Sequence, residues 1–196
     1  MQTWFQKGYG DIQSLKGENR MTLVIGHIAL VQRSKKQDFV LDVIRRLRQE
    51  GLDVIGLFAG ETREKDYMKE LEEKITQKGL SDSVLFLGRR NDIADLLKMM
   101  DILIIPSFEG FPLAGLEAAA AGVPVAACDT AGAREFIEVG GGGLIFKGDD
   151  VADAVSRIKE IMLRKKAMAE KGKKFAEKSA INHYEERIEE IFQSVI

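Results

Sequence analysis

Two carboxylates eight positions apart, Glu109 and Glu117, are the residues of this chain best placed to do chemistry. From Gly110 to Cys128 the only charged residue is Glu117. An ionised carboxylate in an apolar run is costly unless something satisfies it. Pro112 fits the first turn of a helix, where its missing N–H costs nothing, and Gly122 fits the left-handed position that ends one. Pro124 then stops the helix from continuing. Glu109 is therefore expected in a loop at the mouth of a helix, and Glu117 just over one turn inside it. A helix N-terminus offers free N–H groups and a positive field, which together make an anion site. The plain alternative is that Leu113, Leu116, Ala120 and the alanines pack a helix on a sheet, with Glu117 at the edge of the core and its head in water.

The elements that must position these residues follow from the apolar patterning. Thr22–Ile28, Asp53–Ala59, Val84–Leu87, Asp101–Pro106, Val123–Cys128 and Leu144–Phe146 read as short buried strands. Between them, apolar residues recur at helical spacing: Phe39, Val40, Val43, Ile44 and Leu47; Tyr67, Leu71 and Ile75; Ile93, Leu96, Leu97 and Met100; and, after Asp149-Asp150, Val151, Val155, Ile158 and Ile161. A Lys/Glu-rich helix is expected from Arg164 to Lys178, and a last one over Asn182–Ile196 with Tyr184, Ile188, Ile191 and Phe192 on its face. The polar stretch 1–20 reads as a leading segment or linker, and residues 21–196 as one domain. Strand and helix alternate about six times, so the expected fold class is α/β: a doubly wound, Rossmann-like parallel sheet of about six strands with flanking helices and a C-terminal helical segment. In such a fold ligands bind at the carboxyl ends of the strands, near the point where strand order reverses. The loops Arg33–Lys36, Leu87–Asp92, Phe108–Phe111 and Ala131–Arg134 all follow strands and are expected to converge there.

Composition narrows the function. The chain has 196 residues, a formal net charge of -2 and 45% hydrophobic residues, which suits one globular domain and gives no support for nucleic-acid binding. No apolar run reaches membrane-spanning length. The single Cys128 cannot form an internal disulfide and reads as a buried thiol in a reducing, cytoplasmic setting. With only His27 and His183 and no Asp-x-Asp pair, nothing advertises a metal. Asp92 stands where a helix N-cap is expected. The four glycines Gly140–Gly143 are followed by no Gly-Lys-Ser/Thr, so they do not form a P-loop.

Glu109-Gly-Phe-Pro-Leu-x-x-Leu-Glu117-Ala-x-Ala-x-Gly-x-Pro-Val resembles the E-x7-E motif of retaining glycosyltransferase family 4, whose enzymes have the two-domain GT-B fold. The resemblance implies that Glu109 contacts the donor sugar, that Glu117 holds the nucleotide ribose, and that the backbone over Gly110, Phe111, Pro112 and Leu113 lies against the phosphates. Lys35 and Asp38 match a Lys-x-x-Asp run before the first helix. His27 stands where that family carries an Arg, so Arg33 is expected to supply the charge and to clamp a diphosphate with Lys35. The alternative for both is a solvated basic helix start. Phe86-x-Gly88-x-x-x-Asp92-Ile93 resembles the segment whose backbone reads the nucleobase, which implicates Leu87, Gly88 and Arg89. Asp129–Ile137 resembles a Gly-Gly-x-x-Glu loop and helix that closes over the donor, with Gly132 kept and Ala131 in the other glycine's place.

The implied function is transfer of a hexose-type sugar from a UDP- or GDP-linked donor, without a metal or other cofactor. The resemblance spans about residues 21–196, one half of a GT-B enzyme. The acceptor-binding N-terminal half is expected elsewhere, and any peripheral membrane association would come through it. Two other readings are a non-catalytic doubly wound domain that binds a partner protein through its last helix, and half of a GT-B-type sugar-nucleotide epimerase.

Overall fold

A computed structural model of the chain describes residues 22–140 and 142–179. The leading segment 1–20 and the helix expected over Asn182–Ile196 lie outside the described residues. Apart from the edge strand Gly143–Phe146, the strands are apolar on both sides, and both sides are buried. In β1 (Leu23–Ile28), Leu23 and Ile25 face one apolar layer and Val24 the other; in β4 (Ile102–Ile105), Ile102 and Ile104 oppose Leu103 and Ile105 in the same way. Strands of this kind are stable only inside a sheet covered on both faces. With β2 (Val54–Ala59), β3 (Val84–Phe86), β5 (Val125–Cys128) and β6 (Gly143–Phe146), they form a six-stranded sheet of order β3-β2-β1-β4-β5-β6, parallel throughout.

Seven α-helices cover it among the described residues: α1 (Gln37–Gln49), α2 (Lys65–Gln77), α3 (Ile93–Lys98), α4 (Leu113–Ala121), α5 (Ala131–Val139), α6 (Val151–Leu163) and α7 (Lys165–Lys178). α1, α2 and α6 bury their apolar stripes on one face; α3, α4 and α5 cover the other, with Phe175 and Ala176 of α7 packed beside them. The stripe of α1 is the one its spacing predicts, with Val40, Val43, Ile44 and Leu47 fully buried. Truncating Ile44 or Leu47 to Ala would cost about 2–5 kcal/mol. Cys128 is buried at the end of β5, as expected.

The order fixes where a ligand can enter. β1 pairs with β2 on one side and with β4 on the other, so the loops leaving β1 and β4 diverge to opposite faces and open a crevice between them. This is the topological switch point of a doubly wound sheet.

Candidate donor site at the switch point

The crevice holds a cavity of about 290 Å³, lined by His27–Leu30 and Lys35 from the β1 side and by Ile105, Ser107, Glu109 and Phe111–Ala114 from the β4 side. A short 3-10 turn, Arg33–Lys35, brings Lys35 across from β1. Its Nζ lies 2.7 Å from Glu109 Oε1, which also accepts the Ser107 hydroxyl at 2.8 Å. Both side chains of the ion pair are only 24% exposed. The two bonds share Oε1, and neither uses Oε2.

Helix α4 starts one residue later than its proline suggests. Pro112 occupies the N-cap position, and the first helical bond runs from Leu116 N–H to the Pro112 carbonyl. The Leu113 N–H turns back to the Phe111 carbonyl at 3.0 Å, whereas the N–H groups of Ala114 and Gly115 find no backbone acceptor among the described residues. Open donors at a helix N-terminus beside a lysine suit an anion. At the other end Gly122 takes the left-handed conformation (φ 76°), and the N–H groups of Gly122 and Val123 close on Ala119 and Ala118, as its sequence position predicts.

Glu117 departs from its expected environment. It is exposed, not held in the apolar layer, because α4 buries Gly115, Ala118 and Ala119 and turns Glu117 outward. Its desolvation problem therefore does not arise. It lines a second cavity of about 380 Å³ between α3 and α4, with Ile93, Leu97, Ala120 and Ala121. A third cavity, of about 410 Å³, lies over the ends of β1 and β2 and is lined by Ile28–Leu30, Gly60, Arg63, Arg89, Arg90 and Ile93 among others. Ile28–Leu30 border the first and third cavities, and Ile93 the second and third, so the three adjoin around the carboxyl edge of the sheet.

Leu87, Gly88 and Arg89 follow β3 directly. The Leu87 N–H donates to Phe58 and the Gly88 carbonyl accepts from Gly60, so the carbonyls of Leu87 and Arg89 and the N–H groups of Gly88 and Arg89 are the groups these bonds leave over. Asp92 sits at the N-cap position of α3, but its carboxylate makes no cap bond: Arg90 holds it, Nε to Oδ1 at 2.8 Å. A guanidinium two residues away competes successfully with the backbone N–H groups that a cap would use.

Arg33 is not brought together with Lys35 and Glu109. Its guanidinium binds Glu70 in bidentate fashion on α2 and stands 5.0 Å from the centre of the Tyr67 ring. Asp38, matched with Lys35 in the sequence, instead ties α1 to α2 by accepting from Tyr67 Oη at 2.9 Å and Lys74 Nζ at 3.0 Å. Burial works against its charge, but these hydrogen bonds outweigh burial and hold its carboxyl below the usual range.

Two polar side chains of the cavity had no role assigned from sequence. Ser107 orients Glu109, and its place two residues earlier at the end of β4 was the available signal. His27 is buried in β1, with Nδ1 3.1 Å from the Ile104 carbonyl. A carbonyl only accepts, so Nδ1 carries the proton and Nε2 the lone pair. Nε2 is buried without a hydrogen-bond partner among the described residues. Burial, with a smaller push from the Lys35 charge, lowers its pKa to about 4, so the ring is neutral at pH 7. No cluster of three or more potential metal-ligating His, Cys, Asp or Glu occurs among the described residues, and no described helix is long and apolar enough to cross a membrane.

A parallel sheet of this order, with a cation, a carboxylate and open helix N–H groups at its switch point, defines a Rossmann-like domain of the GT-B kind. The chain belongs to the glycosyl transferases group 1 family, whose model matches residues 11–179. It is 39% identical over 88 residues to the lipopolysaccharide core biosynthesis mannosyltransferase LpsB of Rhizobium meliloti (strain 1021), which covers 43% of this chain and 25% of that protein. The Anabaena protein Alr3699/HepE, solved in complex with UDP, superimposes with a TM-score of 0.80 at 27% identity over 97% of this chain and 54% of that one; another structure of the same protein holds UDP-glucose. The C-terminal domain of a glycosyl transferase group 1 family protein, LpcC from Francisella tularensis, shares the fold with a TM-score of 0.69 at 22% identity, over 87% of this chain and 92% of that one. The chain thus spans about half of the HepE chain and a quarter of LpsB.

Proposed function

We propose that this chain is the nucleotide-sugar-binding half of a retaining, family 4 glycosyltransferase that transfers a hexose from a UDP- or GDP-linked donor. The observation that carries the proposal is the Lys35–Glu109 pair lining one cavity with Ala114 at the switch point, where the first turn of α4 leaves the N–H groups of Ala114 and Gly115 without a backbone acceptor among the described residues. A donor entering the crevice would separate that pair. Its diphosphate would take Lys35 and the first turn of α4, and a sugar hydroxyl would take Glu109, steadied by Ser107. When the bond to the anomeric carbon breaks, negative charge grows on the diphosphate. Lys35 and preorganised N–H groups stabilise that charge where it develops, the role a bound cation plays elsewhere. Glu117 would receive the ribose hydroxyls in the second cavity, which meets the third at Ile93, and the backbone over Leu87, Gly88 and Arg89 the base beside the third, which meets the first at Ile28–Leu30.

Arg33 takes part in this proposal only if it leaves Glu70, so Lys35 is assigned the main share of the diphosphate. The mannosyltransferase and the UDP-binding protein among the relatives favour glycosyl transfer over epimerisation or simple partner binding. The acceptor would be bound by a second domain, consistent with the half coverage of the solved relative.

Calorimetric titration with UDP, GDP, uridine and guanosine tests the proposal. One diphosphate should bind, and more tightly than its nucleoside, but weakly overall because half the cleft wall belongs to the other domain. Absence of binding by both diphosphates would contradict it.

A further inference from the structure

Helix α5 opens with Thr130, whose hydroxyl caps the Ala133 N–H at 3.2 Å. Its second residue, Gly132, is buried, and its φ is not left-handed. No torsion there asks for glycine, and alanine is the better helix former. What the position requires is space. A Cβ on Gly132 would lie 1.9 Å from the Gly110 carbonyl oxygen, 2.5 Å from its carbon and 2.7 Å from the Glu109 oxygen. All three are main-chain atoms, which cannot rotate aside as a flexible side chain would. Gly110, by contrast, has open space where its own Cβ would be. The rest of that loop is loosely held, with Phe108 77% exposed and Phe111 40% exposed. The carbonyls of Gly110 and, a little farther off, Glu109 therefore rest on the bare Cα of Gly132, while Ser107 and Lys35 hold only the carboxylate.

The geometry points to Gly132 as a positioning residue for Glu109: its missing side chain lets the carbonyls of Gly110 and Glu109 settle on the first turn of α5, and this seat sets where the carboxylate meets the sugar. Gly132 takes this role only if Glu109 contacts the donor sugar, as proposed above. The seat acts on sugar recognition and leaves the nucleotide contacts on α4 and after β3 in place.

The test is a double-mutant cycle on the full chain by calorimetry, with UDP, UDP-glucose, UDP-N-acetylglucosamine, GDP and GDP-mannose as probes. The quantity read is the affinity for the best-bound nucleotide-sugar relative to its bare diphosphate. Gly132→Ala should lower that ratio about tenfold, as expected for a misplaced charged hydrogen-bond partner, over and above any change in bare diphosphate affinity. Glu109→Gln should do the same, and the double variant should lose no more than either single one, because both delete one interaction. An unchanged ratio in Gly132→Ala, or losses that add with Glu109→Gln, would overturn the inference while leaving the donor-binding reading intact. If Gly132→Ala does not fold, the wild type decides by NMR: the Gly132 α-proton resonances should move when the nucleotide-sugar replaces the bare diphosphate, and stay still in Glu109→Gln. Resonances that never move would overturn the inference. Failure of every probe to bind wild type would overturn the donor-binding reading, and the role of Gly132 with it.

Discussion

Lys35 and Glu109 satisfy each other across the mouth of the crevice, so a donor must offer an anion to Lys35 and a hydroxyl to Glu109. Lys35→Ala should therefore weaken diphosphate binding by about 1.5–3 kcal/mol, the scale of a charged hydrogen bond, and leave nucleoside binding nearly untouched. Equal losses for UDP and uridine by calorimetry would reduce Lys35 to a shaper of its loop. Glu117→Gln makes the complementary test. The side chain is exposed, so the change should alter stability by no more than about 0.5 kcal/mol. If Glu117 holds a ribose, the same change should weaken nucleotide binding by about 1–3 kcal/mol, and a 2′,3′-dideoxyribose ligand should lose little further. Parallel losses for ribose and dideoxyribose ligands would remove Glu117 from the site.

His27 carries a prediction about pH. Its pKa falls from 6.5 to about 4 on folding, so between these values the unfolded chain binds a proton that the folded chain refuses. The stabilisation is complete above pH 6.5 and declines as pH falls toward 4, by about 3 kcal/mol in all for a shift of this size. Urea unfolding of wild type and His27→Gln across that window should show the steeper loss in wild type. Identical pH profiles would mean that the imidazole is charged, or reachable by water, in the folded state.

At the scale of elements, α4 shows what patterning can and cannot reveal. Its bounds were readable to within one residue because Pro112 and Gly122 have backbone requirements that few other residues share. Gly122→Ala forces a Cβ into left-handed backbone and against the end of the Lys173 side chain. Stability should fall by about 1–2 kcal/mol, measured as a shift in urea midpoint at unchanged slope. Which way Glu117 points was not readable. A helix of alanines is apolar all round, so composition does not say which side faces the sheet. The capping role expected of Asp92 failed for a different reason: residue type and position both suited it, but Arg90 claims the carboxylate. Arg33 found Glu70, 37 positions along the chain, a pairing that only the packing of α2 beside the Arg33–Lys35 turn creates. Local chemistry was thus legible where the backbone dictates it, and illegible where two long charged side chains choose each other.

At the scale of the molecule, the alternation of strand and helix already implied a doubly wound sheet with its loops gathered at one edge. The order β3-β2-β1-β4-β5-β6 adds what alternation alone cannot: the crevice opens between β1 and β4, where Lys35 and Glu109 come from strands far apart in sequence. Two approaches to the ligand from opposite sides of a switch point explain why neither residue forms a recognisable site by itself. Under the proposed function, donor binding belongs to this domain and transfer needs a second wall to hold the acceptor. The chain alone should therefore bind nucleotide and show no sugar transfer in a coupled assay that detects released diphosphate.

The most direct test of the central claim is an NMR titration of the chain with UDP and GDP, following backbone amides. Binding at the switch point should move the resonances of Lys35, Glu109, Ala114 and Gly115 first and most, with Gly88 and Arg89 following if the base lies after β3. Shifts confined to other surfaces, or none at millimolar diphosphate, would contradict a donor site between β1 and β4.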